Sequence, residues 1–300
     1  MLHDNKEMFE QAVLKTAEFL NIEPAIIEKD YYVTLFLREL SEKRDDIVFK
    51  GGTSLSKCYG IIKRFSEDID LNVEGENKPT EGERRALKKD IEAVIDKLNF
   101  RIANDSEIFS RRDFNKYIIE YPVTLGASYL KSQIIVETAV FFRAYPNEKR
   151  QVTNYIYDYL KENNSLEYAD KWDLTPFDIT VQSAERTLID KIYAIGDYYL
   201  SGNTLQHSRH IYDIYKLESM VKFDGNLRKL ADDVRAERVK HKTCLSAQSE
   251  VDMNKLLSEI VNKDVFKSDY ESVTASLLFE NVGYDEVLKS LKRIIEENIF

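Results

Sequence analysis

Two short groups of residues have the types and spacing for chemistry on phosphate: Gly51-Gly52-Thr53-Ser54, and, further along, Asp68-Ile69-Asp70. On a strand, side chains two apart share a face, so Asp68 and Asp70 stand side by side while Ile69 and Leu71 point into the core. Two carboxylates that close repel unless a cation lies between them. Hard oxygen ligands at this spacing suit Mg²⁺, which completes its shell with substrate phosphate oxygens. The Gly-Gly turn supplies the complement, backbone N–H groups at the start of a helix, where orphan donors and the helix dipole favour phosphate. Thr53 and Ser54 are candidate hydroxyl donors beside them. The run is neither a Walker A loop, which needs a spaced Gly-Lys-Ser/Thr ending, nor a dinucleotide fingerprint, which needs further glycines. Alone, the turn reads as structural and the acids as a solvated strand. Together, in the order strand, turn, helix and acid-bearing strand, they point to nucleotidyl transfer.

These residues need a frame to hold them. Glu10 to Leu40 reads as helices, with a restart at Glu23-Pro24. Ile47-Val48-Phe49 reads as a short strand ending in Lys50-Gly51-Gly52. A helix is expected from Thr53 or Ser54 to near Phe65, with Leu55, Cys58, Ile61 and Ile62 on its inner face. Asp68 to Val73 then alternates as a strand, Gly75 to Glu83 reads as a loop, and a charged amphipathic helix runs on to Lys97. Between Phe100 and Phe142 short alternating pieces predict antiparallel or mixed sheet that ends near Arg143. Tyr155, Ile156, Tyr159 and Leu160 suggest a short helix. Helices are expected at Val181 to Tyr199, His207 to Met220, Asn226 to Val239, Met253 to Asn262 and Tyr284 to Asn298. The fold class is therefore α+β, two-lobed around a cleft, with domains at 1–177 and 178–300.

Composition narrows the functional classes. The chain has 300 residues, 43% of them hydrophobic and 32% charged, with only 5 Pro and 10 Gly, which excludes disorder and fibrous repeats. A net charge of −10 argues against a broad non-specific grip on nucleic acid and leaves room only for a local basic groove. Cys58 and Cys244 are the only cysteines, so no disulfide framework is expected and a reduced cytoplasm is the default compartment. No segment has the roughly 20 apolar residues that span a bilayer.

Further candidates lie outside the two central groups. Glu137, an acid within the apolar strand Ile134 to Thr138, is a candidate third carboxylate that helps deprotonate an attacking hydroxyl; an edge-strand glutamate facing water is the equal alternative. His207 and His210 are three apart on a helix, and His241 follows, yet neither an HExxH pattern nor a nearby cysteine completes a zinc set. Arg209, Arg235, Arg238, Lys240, His241 and Lys242 give local basic content that could border an RNA; a solvated charge run is the rival reading, favoured for the last four.

The stretch FKGGTSLSKCYGIIKRFSEDIDLNV resembles the nucleotidyltransferase AbiEii/AbiGii toxin family, within the DNA polymerase β-like nucleotidyltransferase superfamily, and EKDYYVTLFLREL from Glu28 is similar to that family's helical lead-in. The resemblance implies a nucleotidyltransferase-like mixed sheet with flanking helices and a helical C-terminal lobe. It maps the first family motif to Gly51, Gly52, Thr53, Ser54, Asp68 and Asp70. It also maps the family's active-site lysine and aspartate to Lys191 and Asp213, with Arg209 opening the second of these motifs and His210 standing where many relatives have aspartate. The implied reaction uses Asp68 and Asp70 to hold Mg²⁺ against a nucleoside triphosphate supported by Gly52 to Ser54. An acceptor hydroxyl, on tRNA in some members, attacks the α-phosphorus, and Lys191 neutralises departing pyrophosphate. Asp213 orients Lys191 or a substrate hydroxyl; pairing with Arg209 at i to i+4 is the plain alternative. The setting it implies is a bacterial toxin–antitoxin or phage-defence module with a cognate antitoxin. Two other classes remain open: kinase-like attack at the γ-phosphate, and a non-catalytic RNA- or protein-interaction module.

Overall fold

A computed structural model describes residues 1–64, 66, 68–75, 77–125 and 131–300. It divides into two compact units, one comprising Met1–Tyr59 and Ser66–Val181, the other Gly60–Phe65 and Gln182–Phe300.

In the first unit the chain opens with α1 (Lys6–Leu20), capped by the Asn5 side chain, which accepts from the Met8 N–H at 3.1 Å, and closed by Asn21 in the left-handed conformation. Pro24 starts α2 (Pro24–Lys43), where its missing N–H costs nothing. The sheet is built from β1 (Ile47–Lys50), β2 (Asp68–Val73), β3 (Arg101–Ile102), β4 (Phe114–Glu120), β5 (Gln133–Ala139), β6 (Asn147–Val152) and β7 (Phe177–Gln182), in the order β3-β4-β5-β2-β1-β7-β6. β1 is antiparallel to β2 and parallel to β7, β2 is parallel to β5, and β5, β4 and β3 run antiparallel in turn. The sheet is thus mixed. α3 (Gly51–Lys57) joins β1 to β2, and α4 (Glu81–Lys97) begins at a capping box between Thr80 and Glu83. Two short helices, α5 (Tyr155–Glu162) and α6 (Glu167–Lys171), precede β7.

One sheet face carries Ile69, Leu71, Tyr117, Ile119, Ile134 and Val136, all buried with Ile27 and Phe36 of α2 and Leu87 and Ile91 of α4. The alternation in β2, β4 and β5 therefore leaves every second residue on the other face, and Asp68, Asp70 and Glu137 are among those. Burial of one face fixes this assignment, because a one-residue slip would put two aspartates into an apolar core.

Three expectations need correction. α3 begins at Gly51 and ends at Lys57 instead of continuing toward Phe65; Gly60, at φ +68°, breaks the helical path, and Ile61 to Arg64 runs on irregularly to an antiparallel bridge between Arg64 and Leu278. The sheet does not end near Arg143 but gains β6 and β7. Val181 closes strand β7, and the helix that follows starts only at Ala184.

The second unit packs α7 (Ala184–Leu200) and α8 (Arg209–Glu218) together. α9 (Gly225–Arg238), α10 (Met253–Asn262), the short turns α11 (Lys267–Asp269) and α12 (Ala275–Leu277), and α13 (Tyr284–Glu296) complete it. Ile192, Ile211, Ile214, Leu217, Leu291 and Ile294 are all buried. Cys58 and Cys244 are free thiols, and among the described residues no helix is long and apolar enough to cross a membrane.

One half-buried carboxyl in the first unit sets a pH dependence. Burial, with repulsion from Asp30, pushes the Asp158 carboxyl on α5 up to about 6, against the opposing charges of Lys57 and Lys161. A carboxyl raised above its ordinary 3.8 binds its proton more tightly when folded, so its contribution is most favourable in acid and is lost as pH rises through about 6. Asp158→Asn should therefore stabilise the fold by about 1 kcal/mol at pH 8, partial exposure being discounted, and by nothing near pH 4. Paired thermal melts at the two pH values check this.

Candidate functional site

The Gly-Gly turn and the acid-bearing strand meet directly. Gly51 sits at φ +80°, a conformation that side chains other than hydrogen rarely adopt. A Cβ placed there would lie 1.9 Å from Asp70 Oδ2. The Asp70 carboxylate thus occupies the volume that any other residue at position 51 would fill. Thr53 and Ser54, expected as phosphate donors, are both buried, and their hydroxyls point inward. Thr53 Oγ1 donates to the Asp68 carbonyl and lies 2.8 Å from Ser66 Oγ, while Ser54 Oγ donates to the Gly51 carbonyl at 2.9 Å. These hydroxyls lock α3 to the start of β2 and close the turn. The atoms left to meet a phosphate are the backbone N–H groups of the first turn of α3, which have no intrahelical acceptor.

The strand register adds a row of charge. Lys50 is the cross-strand partner of Asp70, Asp70 of Glu137, and Glu137 of Lys116, so four adjacent strands present plus, minus, minus, plus across one face. Glu137 is brought beside Asp70 in register, but its carboxylate is held by Lys116 at 3.1 Å. Among the described residues no three carboxylate, imidazole or thiolate groups converge closely enough to hold a metal ion. Asp68 and Asp70 lie two apart on one face of β2, a carboxylate pair that alone supplies fewer ligands than a divalent cation needs and could hold one only with oxygens from a substrate or water. Lys50 and Lys116 escaped the sequence reading because pairing across strands is not written in spacing along one strand.

The second unit holds Lys191 and Asp213. Asp213 is fully buried on α8. It accepts from Lys191 Nζ at 2.6 Å and from Arg64 Nε and Nη2 at 2.8 and 2.7 Å. Burial alone pushes the Asp213 carboxyl up, but the charges and hydrogen bonds of Arg64 and Lys191 outweigh it and hold it well below the usual carboxylate range. Burial pushes the Lys191 ammonium down, with Asp213 opposing. Lys191 is itself buried, being only 6% exposed. Both Asp213 oxygens are engaged by Arg64, and Oδ2 by Lys191 as well. Among the described residues Lys191 Nζ donates to Asp213 Oδ2, which engages one of the three N–H donors of the ammonium.

The remaining candidates separate. His207 stacks on Tyr198 at 3.5 Å between ring centroids, and His210 lies 6.2 Å from His207. Burial, reinforced by Lys191, holds His210 well below its ordinary value, so it is neutral at pH 7. Arg238 is buried, bonded to Asp190 Oδ1 at 3.0 Å, and so belongs neither to a solvated run nor to an RNA-facing groove. Arg235 donates to the carbonyls of Ala247, Gln248 and Val251. Lys240 and Lys242 are exposed.

A mixed sheet, a Gly-Gly turn pressed on one aspartate of a pair, and a helical second unit define a nucleotidyltransferase-type architecture. The structure is similar to MenT4, a nucleotidyltransferase toxin from Mycobacterium tuberculosis, with a TM-score of 0.51 at 16% identity, over 97% of this chain and 99% of that one. This similarity establishes the fold. No curated protein matches the sequence. The family model "Nucleotidyl transferase AbiEii toxin, Type IV TA system" matches residues 35–290, and the chain belongs to that family. Membership supports a nucleotidyltransferase toxin role.

Proposed function

We propose that the protein moves a nucleoside monophosphate from a nucleoside triphosphate to an acceptor hydroxyl on tRNA, as the cytoplasmic toxin of a toxin–antitoxin or phage-defence module with a cognate antitoxin. The observation that carries this reading is the contact of the Asp70 carboxylate with Gly51, which sets the acid pair of β2 against a phosphate-binding turn. Asp68 and Asp70 would hold Mg²⁺, which when bound withdraws charge from the triphosphate. The first N–H groups of α3 bind phosphate oxygen, and Thr53 keeps Asp68 in register by holding its carbonyl. Glu137, in register with Asp70, takes the proton of the attacking hydroxyl once Lys116 releases it. Lys191 offers its ammonium to phosphate as a point charge, with Asp213 fixing its direction.

The test is incubation with total tRNA, Mg²⁺ and each α-labelled nucleoside triphosphate, with Asp70→Ala as the control. The expected result is labelled tRNA with an equal yield of pyrophosphate, lost in the control and on chelation of divalent metal. Nucleoside diphosphate as the product would move the reading to γ-phosphate transfer. Tight tRNA binding with neither product would make the chain an interaction module.

A further inference from the structure

We infer that Arg64 is a positioning residue for Lys191, acting through Asp213. Arg64 is 3% exposed and grips both Asp213 oxygens, Nε on Oδ1 at 2.8 Å and Nη2 on Oδ2 at 2.7 Å. This two-pronged geometry fixes the plane of the carboxylate, which a single point contact does not. Lys191 Nζ bonds to Oδ2, the same oxygen that Nη2 of Arg64 holds. The direction of the ammonium is therefore set by the plane that Arg64 imposes. The backbone around Arg64 is fixed too. Arg64 bridges to Leu278, the Phe279 N–H donates to the Lys63 carbonyl at 2.8 Å, and Tyr212 Oη accepts from the Lys63 N–H at 3.0 Å. Tyr212 in turn precedes Asp213 on α8, so the same helix receives both the side chain of Arg64 and the backbone of Lys63.

Lysine is not equivalent to arginine here, because an ammonium can hold one oxygen but cannot set a plane. A misdirected Lys191 meets its phosphate late, and small misplacements of a charged group cost turnover more than binding. This inference rests on the reading that Lys191 meets phosphate, and its experiment separates the two.

The experiment measures kcat, KM for the nucleoside triphosphate and melting temperature for Arg64→Lys, Arg64→Gln, Lys191→Met and Arg64→Lys combined with Lys191→Met. The expected result is a fall in kcat of about 10-fold or more for the folded Arg64 variants, with KM changed less than about 3-fold. Arg64→Lys should retain more activity than Arg64→Gln, and it should cost nothing further once Lys191 is methionine. A full additional loss in the double variant would show that Arg64 acts independently and would overturn the inference. So would wild-type kcat in Arg64→Lys, or loss of the folded state in both Arg64 variants, which would make the clamp purely structural. Undiminished activity in Lys191→Met would instead sink the phosphate reading of Lys191, and the inference with it.

Discussion

Gly51→Ala should lower the rate of nucleotidyl transfer by about 10²- to 10³-fold in protein that still folds. The new Cβ would lie 1.9 Å from Asp70 Oδ2 and 2.8 Å from Asp70 Cγ, far inside contact distance, so the carboxylate must move. The backbone of Asp70 cannot yield instead, because it is paired to Lys50 on one side and Glu137 on the other. The displacement falls on the side chain that is to hold the cation, by more than an ångström. Backbone strain is a separate effect, since alanine at φ +80° costs about 1 kcal/mol of stability. Gly202 isolates it: φ is +72° and a Cβ there meets nothing within 4 Å. Gly202→Ala should lower the melting temperature comparably yet leave initial rates intact. Equal rates in the two variants would mean that Asp70 has no part in the reaction.

What the sequence exposed, and what it hid, follows from the range of the interactions. Asp68 and Asp70 were legible because the period-two pattern of β2 has one buried face, and α1 and α2 because Asn5, Asn21 and Pro24 mark their ends. The end of α3 was missed because Ile61 and Ile62 continue an apolar stripe that Gly60 interrupts through its backbone alone. β6, Asn147–Val152, is almost wholly polar and sits at the sheet edge, where alternation carries no signal. β7 has four consecutive buried residues from Ile179 to Gln182, a pattern that does not separate strand from helix. The types of Thr53 and Ser54 suggest phosphate donors, but the inward direction of their hydroxyls depends on the Asp68 carbonyl and the backbone of Gly51, which spacing does not reveal. The Arg64–Asp213 pair carries no signal in the sequence, because its members lie 149 positions apart.

That distant partnership leads to the largest expected loss of stability. Asp213→Ala should destabilise the fold by about 3–5 kcal/mol, since it strips the counter-charge from Arg64 and Lys191, both buried. Lys191→Met should cost less, because it removes one cation and leaves the bidentate Arg64–Asp213 pair complete. The pH dependence distinguishes a charge effect from a cavity. In the wild-type protein the Asp213 carboxyl is depressed, so its stabilisation is complete above its ordinary value of 3.8 and is lost only as the pH falls well below it. In Asp213→Ala, Lys191 keeps the burial and the Arg64 repulsion that lower its affinity for a proton but loses the carboxylate that opposed them. A lysine depressed in the folded state is most destabilising when protonated, so the deficit should shrink as pH rises through its folded value toward the unfolded one. Chemical denaturation of both proteins at pH 7 and pH 9.5 should then show the variant recovering stability relative to wild type. A deficit that stays constant across that interval would assign the loss to packing and not to the two uncompensated cations.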